Sequence, residues 1–247
     1  MASKVTYEIQ PIQDMDDIIL KELSSILDKN CQPGKYSLIE LRDLFKAKTD
    51  ILYGKDNDKL INVILIDVFP KHKSVYLHDV CVAKSHRGQG MFNKALQFLI
   101  KHYKAKGIKT ITLDASDSTK EKGLNQKARI TIFSKSGFSI NPKTDVWKEN
   151  GEFDIVPTTV ELNTGELVEI QGEAKGESYT VKDKSQKEYT INIDQIERCK
   201  ALGSYVSCHM KMNISINSGG TTYKKRRLMR RRKRQHHRTL RALTNRS

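Results

Sequence analysis

The stretch that decides the fold runs from Ser74 to Ala115 and reads SVYLHDVCV (74–82), AKSHRGQGMF (83–92) and NKALQFLIKHYKAKGIKTITLDA (93–115). The first piece is an apolar, Val-rich run suited to a buried strand, interrupted by the polar pair His78-Asp79. The second is a polar turn with two glycines, Gly88 and Gly90. The third places Phe92, Ala95, Leu96, Leu99, Ile100 and Tyr103 on one helical stripe, and Gly107 stops that helix. Thr110–Ala115 then reads as a second buried strand, paired parallel to the first because a helix crosses over between them. Glycines in such a turn let a ligand approach the backbone, and the helix that follows offers unpaired N–H groups and the positive end of its dipole. Arg87 adds a forked cationic donor, so the turn suits a phosphate or pyrophosphate.

Read as a string, Val80–Ser116 resembles the acetyl-CoA binding core of the GCN5-related N-acetyltransferases (GNAT). Gly88 and Gly90 fall at that family's two glycine positions, and NQKARITIFSKSGF (125–138) is similar to its second motif, which ends in Gly-Phe. The resemblance covers roughly residues 5–150. It implies an α/β (α+β) fold with a mixed, mostly antiparallel central sheet flanked by helices, and acetyl-CoA as co-substrate. It also implies an N-acetyltransferase acting on a primary amine, either a small polyamine-like molecule or a protein lysine or N-terminus. By the same resemblance Arg87, Gly88, Gln89, Gly90 and Met91 hold the pyrophosphate. The backbone of Val80, Cys81 and Val82 binds the pantetheine arm, and Asn125 contacts the cofactor. Two positions depart from the pattern. Ser85 stands where Gln or Arg is usual, and Phe133 stands where a Tyr usually protonates the leaving thiolate.

Transfer of acetyl from a thioester to an amine requires the amine to lose a proton, and the developing oxyanion to meet a donor. Polyamine-type members carry Glu-Asp where this chain has His78-Asp79. By that match His78 takes the place of the base and Asp79 binds a cationic amine. An imidazole suits the role because it titrates near neutrality. Strand alternation predicts Tyr76, His78 and Val80 on one face, with Leu77, Asp79 and Cys81 on the other. A histidine satisfied by hydrogen bonds in a half-buried strand, and an aspartate paired with a neighbouring helix, are the structural alternatives.

The remaining sequence is less specific. Strands are expected over Val5–Ile12, Ile51–Lys55 and Leu60–Pro70. A helix opens at Asp14–Asp17 with a stripe of Ile18, Ile19, Leu20, Leu23, Ile26 and Leu27, and Ser37–Ala47 follows as a second. In the helix after Asn125, Ala128, Ile132 and Phe133 are expected to face inward. Beyond Gly151, TTVEL, LVEIQ, YTVKD and YTINI alternate apolar and polar residues between turns. They suggest either a small antiparallel barrel or an extension of the main sheet. The organisation expected is residues 1–150 as the acetyltransferase domain, 151–200 as a small β-rich extension, and 201–247 as a basic, largely disordered tail.

Of 44 Lys and Arg residues, fifteen follow Glu197, the last acidic residue, so the net charge of +15 belongs entirely to that end. The run KKRRLMRRRKRQHHR within residues 224–246 has the density that attracts nucleic acid or another polyanion. It makes a nucleic-acid-associated protein with a weakly active acetyl-CoA-binding domain the alternative function. Cys81 in an apolar strand reads as a free buried thiol. Cys199 and Cys208, followed by His209, suggest a metal or a disulfide, but two thiols and one histidine are too few for a closed zinc site, so no metal is expected. The N-terminus lacks an apolar core and no run is long enough to span a bilayer, so an intracellular, cytoplasmic or nuclear protein is expected. The acceptor's identity and the oligomeric state leave no signature.

Overall fold

The computed structural model describes residues 5–31, 37–43, 49–116, 125–147, 153–200 and 207–214. The chain begins with β1 (Val5–Pro11), α1 (Asp17–Asn30) and α2 (Leu38–Asp43), then β2 (Thr49–Asp56), β3 (Lys59–Phe69) and β4 (Ser74–Val82). α3 (Met91–Ala105), β5 (Thr110–Ser116), α4 (Gln126–Lys135) and β6 (Ser139–Ile140) follow. After β7 (Lys143–Trp147) and β8 (Phe153–Pro157) come β9 (Thr159–Leu162), β10 (Leu167–Ile170), β11 (Ser178–Lys182), β12 (Glu188–Asn192), β13 (Ile196–Cys199) and β14 (Ser207–Asn213).

The main sheet has seven strands in the order β1-β2-β3-β4-β5-β14-β6, and β4–β5 is its parallel pair. α3 runs between those two strands and buries Ala95, Leu96, Leu99 and Tyr103 against one face of the sheet. Each fully buried leucine there contributes about 1.5–3 kcal/mol of burial free energy. α1 packs Leu20, Leu23, Ile26 and Leu27 on the opposite face, over Ile51, Tyr53, Val63 and Leu65. The sheet therefore has a back, covered by α3 and α4, and a front, covered in part by α1 and α2. Ile18, expected in the α1 stripe, is 68% exposed. Asp16 caps α1 by accepting from the Ile18 N–H, which fixes the helix start and turns Ile18 to solvent.

Residues 153–200 depart from the simpler of the two expectations. β9–β13 form a five-stranded antiparallel sheet of their own, in the order β12-β11-β10-β9-β13, so they do not extend the main sheet. They are not an independent body either. Val160, Val168, Tyr179, Val181 and Ile196 belong to the same buried cluster as Leu99, Ile111 and Met210. Gln126, buried at the start of α4, ties the two parts together. Its amide donates to the Ala115 carbonyl of β5, and its side-chain oxygen accepts from the Cys199 N–H of β13. The core thus runs across the boundary expected near residue 150.

β14 corrects a second expectation. Ser207–Asn213 was assigned to the tail, yet it fills the gap between β5 and β6, pairing antiparallel with both. Its Cys208, Met210 and Met212 alternate inward, a pattern hidden beside the basic run. The rest of the tail, including 224–246, lies outside the described residues. The thiols correct a third expectation. Cys81 is not free: it is bonded to Cys31 at the end of α1, and Cys199 is bonded to Cys208. Among the described residues no helix is long and apolar enough to cross a membrane.

Candidate active site

β4 and β5 do not stay together. Their pairing runs from Ser74↔Thr110 to Leu77↔Leu113 and ends there, although β4 continues to Val82 and β5 to Ser116. Past Leu77 the strands fork, and the backbone of His78–Val82 has β3 on one side and no β5 partner on the other. A bulge accompanies the fork: Leu65 pairs with Asp79 and Ile66 with Leu77, leaving His78 as the extra residue.

The bulge shifts the alternation expected along β4. Val75 and Leu77 join the core behind the sheet with Val80 packed against it, whereas Cys81 joins the cluster in front under α1. Leu77 and Cys81 thus lie on opposite faces, and Val80 does not share the face of Tyr76. An inserted residue moves every later side chain to the other face.

Beyond the fork, Gly88 and Gly90 both adopt the left-handed backbone, at φ 75° and 73°. Open space lies where a Cβ would sit on either. Gly90 opens α3 with no side-chain cap, and among the described residues no backbone carbonyl accepts from the N–H groups of Gly88, Gln89 or Gly90. This set of unfilled donors at a helix start, beside an unpaired strand edge, fits a molecule with a pyrophosphate and an amide-bearing arm. The residues present therefore fit acetyl-CoA.

Other expected contacts are placed differently. Arg87 turns from the turn towards α1. Its guanidinium donates to the carbonyls of Val82 at 3.0 Å and Asn30 at 2.5 Å, so it fastens the turn to the front helix. Gln89 donates to the Ser85 carbonyl. Asn125 caps α4 by accepting from the Ala128 N–H at 2.9 Å. Met91 is buried, and both its sulfur and its carbonyl receive the Tyr7 hydroxyl. Phe133 packs edge-on between Phe92 and Phe138, at 5.6 and 6.1 Å between ring centroids. Ile132, expected to face inward on α4, is 39% exposed, and Gln126 with Ile130 takes the buried positions.

At the fork itself stand two His–Asp pairs. His78 Nδ1 lies 3.1 Å from Asp79 Oδ2, with the His78 side chain 42% exposed. The second pair escaped the sequence reading. His209 of β14 lies opposite Asp114 of β5, and its Nδ1 is 2.9 Å from Asp114 Oδ1. The other oxygen of Asp114 accepts from the Tyr76 hydroxyl at 3.1 Å. Burial first, then the charges of Asp114 and Asp67, push the Tyr76 phenol well above the usual tyrosine range. Asp67 in turn accepts from the Thr49 hydroxyl at 2.7 Å. The available signal for this cluster was the polar alternation of Thr112, Asp114 and Ser116 within an otherwise apolar strand.

Comparison with known proteins agrees with the geometry. Residues 17–125 match the model of the Acetyltransferase (GNAT) family. Over those residues the chain carries a GNAT-type acetyltransferase domain. No curated protein sequence matches the chain. Among solved structures, an aminoglycoside 6'-N-acetyltransferase complexed with coenzyme A aligns with TM-score 0.51 and 14% identity, over 84% of this chain and 97% of that one. The aminoglycoside 6'-N-acetyltransferase from Enterococcus faecium gives TM-score 0.50 and 14% identity over the same shares. The ribosomal-protein-S18-alanine N-acetyltransferase from Escherichia coli gives 0.49 and 12%, over 87% of this chain and 99% of that one. At 14% identity the likeness to the two aminoglycoside enzymes shows the fold.

Proposed function

We infer that the domain transfers acetyl from acetyl-CoA to a primary amine that is cationic in solution, a polyamine-like molecule or a protein lysine or N-terminus. The observation that carries this reading is the front face at the fork. Asp67 and Asp114 share it, with Asp79 at its rim, and all three carboxylates lie beside the end of the free β4 edge. Carboxylates there attract an ammonium group and favour it over neutral or anionic acceptors. In this reading the backbone of Val80, Cys81 and Val82 and the N–H groups of Gly88–Met91 hold the co-substrate, which supplies the activated acetyl group. His78, nominated by sequence, and Asp79 border the acceptor. The test is to mix the full chain with acetyl-CoA and polyamines, histone-tail peptides or aminoglycosides, and to follow thiol release. Release with cationic amines supports the reading; none above the blank with any acceptor sinks it.

The charge density at 224–246 favours a second reading for that segment, namely attachment to a nucleic acid. Salt-dependent binding of a DNA duplex that disappears when the chain ends at residue 217 supports it. Binding unchanged by the truncation refutes it.

A further inference from the structure

The geometry points to His209 of β14 as the group that takes the proton from the acceptor amine, with Asp114 and Tyr76 as positioning residues. This rests on the transferase reading above and assigns the proton to a residue outside the segment that matches the family model, residues 17–125.

Place is the first reason. Leu77↔Leu113 is the last paired rung of β4 and β5. Tyr76 sits one residue before it and Asp114 one residue after it, so the network spans the point where the strands part. β14 brings His209 there by its register with β5, His209↔Asp114.

Orientation is the second. His209 Nδ1 lies 2.9 Å from Asp114 Oδ1, and a carboxylate can only accept, so the assignment puts a proton on Nδ1 and leaves the Nε2 lone pair of the neutral ring as the proton-accepting atom. The same carboxylate accepts from Tyr76, so it is held from two sides and cannot swing away. Carboxylate support of this kind favours the imidazolium that forms on proton transfer. The His209 side chain is 32% exposed, enough for an acceptor to reach it.

The charged groups around it are consistent with that role. Asp114 faces His209 from β5, and Tyr76 with Asp67 behind it stands on the β4 side. The His78 ring is 6.0 Å from the Tyr76 ring. Lys211, two residues along β14, is paired with Glu173 at 2.7 Å, and Arg129 of α4 reaches the Ser116 hydroxyl. The Lys211 charge is thereby offset by a partner of its own.

The ammonium gives one proton to Nε2 of His209, which later returns it to solvent. The freed nitrogen lone pair bonds to the acetyl carbon while the carbon–sulfur bond breaks. The second amine proton goes to sulfur, which leaves as the thiol. No oxidant or reductant is needed.

The test uses the full chain and the variants His209→Gln, His78→Gln, Asp114→Asn and Tyr76→Phe. Imidazole nitrogen NMR of the resting protein is expected to show His209 with its proton on Nδ1, and Asp114→Asn is expected to move part of it to Nε2. Steady-state rates are then taken from about pH 6 to 9 with acetyl-CoA and the fastest acceptor among spermidine, a histone-tail peptide and an aminoglycoside. His209→Gln is expected to lower kcat roughly 10²–10⁴-fold and to remove the acid limb of the profile, with acetyl-CoA affinity unchanged. His78→Gln is expected to keep the limb. The proposal is overturned if His209→Gln retains both rate and limb, or if the resting His209 carries its proton on Nε2. A parent chain that releases no thiol at all would count against the transferase reading instead, a different result from an active chain indifferent to His209.

Discussion

His78 and Asp79 are neighbours in the chain and meet at 3.1 Å, whereas His209 and Asp114 are 95 residues apart and meet at 2.9 Å because β14 lies antiparallel against β5. The first pair occupies a bulge with the histidine 42% exposed, its ring beside Asp79 and edge-on to the Tyr76 ring at 6.0 Å, all on one strand. The second is fixed by strand register on one side and by the Tyr76 hydroxyl on the other. The difference shows what the fold adds to chemistry already written in the chain. An adjacent His–Asp pair exists in the unfolded protein too, whereas the cross-strand pair exists only once the sheet has closed. A proton acceptor has to be held within fractions of an ångström of its productive position, which favours the pair with the more rigid support.

Both pairs matter only if the fork and the glycine turn hold acetyl-CoA, so the largest expected effect lies there. Gly90→Glu puts a carboxylate on a backbone at φ 73°, beside the donors that would meet a pyrophosphate. We expect acetyl-CoA affinity to fall by about 100-fold or more, roughly 2.7 kcal/mol, in calorimetric titration. The conformational cost of a non-glycine residue there, about 1–2 kcal/mol, should leave the far-ultraviolet dichroism unchanged. Retained affinity would break the cradle for both pairs at once.

Next in size is the contrast between the carboxylates. Asp114→Asn is expected to lower kcat about 100-fold, because an amide holds the wrong imidazole tautomer. Asp79→Asn should act chiefly on KM for a cationic acceptor, by less than about 10-fold, as a peripheral charge would. Equal losses in kcat would erase the distinction drawn here.

Stability gives a smaller contrast. Tyr76→Phe removes a hydrogen bond to a half-buried carboxylate and should cost about 1–2 kcal/mol in denaturant unfolding. His78→Ala, at an exposed bulge, should stay within about 0.5 kcal/mol.

The smallest effect is on the alkaline side. The folded protein holds the Tyr76 proton more tightly than the unfolded chain does. Its contribution is therefore complete below the ordinary tyrosine value of about 10 and is lost as pH rises above it. Tyr53 and Tyr103 are raised for similar reasons, by burial and then by Glu8 and Asp50. Tyr76→Phe should thus make the fall in melting temperature above pH ~10 shallower without abolishing it. An unchanged slope would mean that neither burial nor the charges of Asp114 and Asp67 raise this phenol.

How much of this was legible in the sequence follows from the range of each interaction. β4, the glycine turn, α3 and β5 are consecutive, their periodicity is strong, and Ser74–Val82 emerged with both ends where the apolar run placed them. His78-Asp79 was visible because adjacency needs no fold. The bulge was not, since one extra residue on β4 depends on pairing with β3, and it reversed the faces assigned after Leu77. β14 was hidden because its alternation is short and its partners are β5 and β6, with the whole β9–β13 sheet intervening in the chain. With β14 misplaced, Cys199, Cys208 and His209 read as an incomplete metal site or a disulfide, and nothing placed His209 beside Asp114. The contact of Arg87 with the Asn30 carbonyl was not legible either, because that carbonyl comes near only when α1 docks on the sheet.

The most direct measurement is an amide NMR titration of the nitrogen-labelled chain with coenzyme A. The account predicts the largest shifts at Val80–Val82 and Gly88–Met91, with the amides of β10–β12 unmoved. Shifts centred on the β9–β13 sheet, or none at the fork and the glycine turn at saturating coenzyme A, would contradict it.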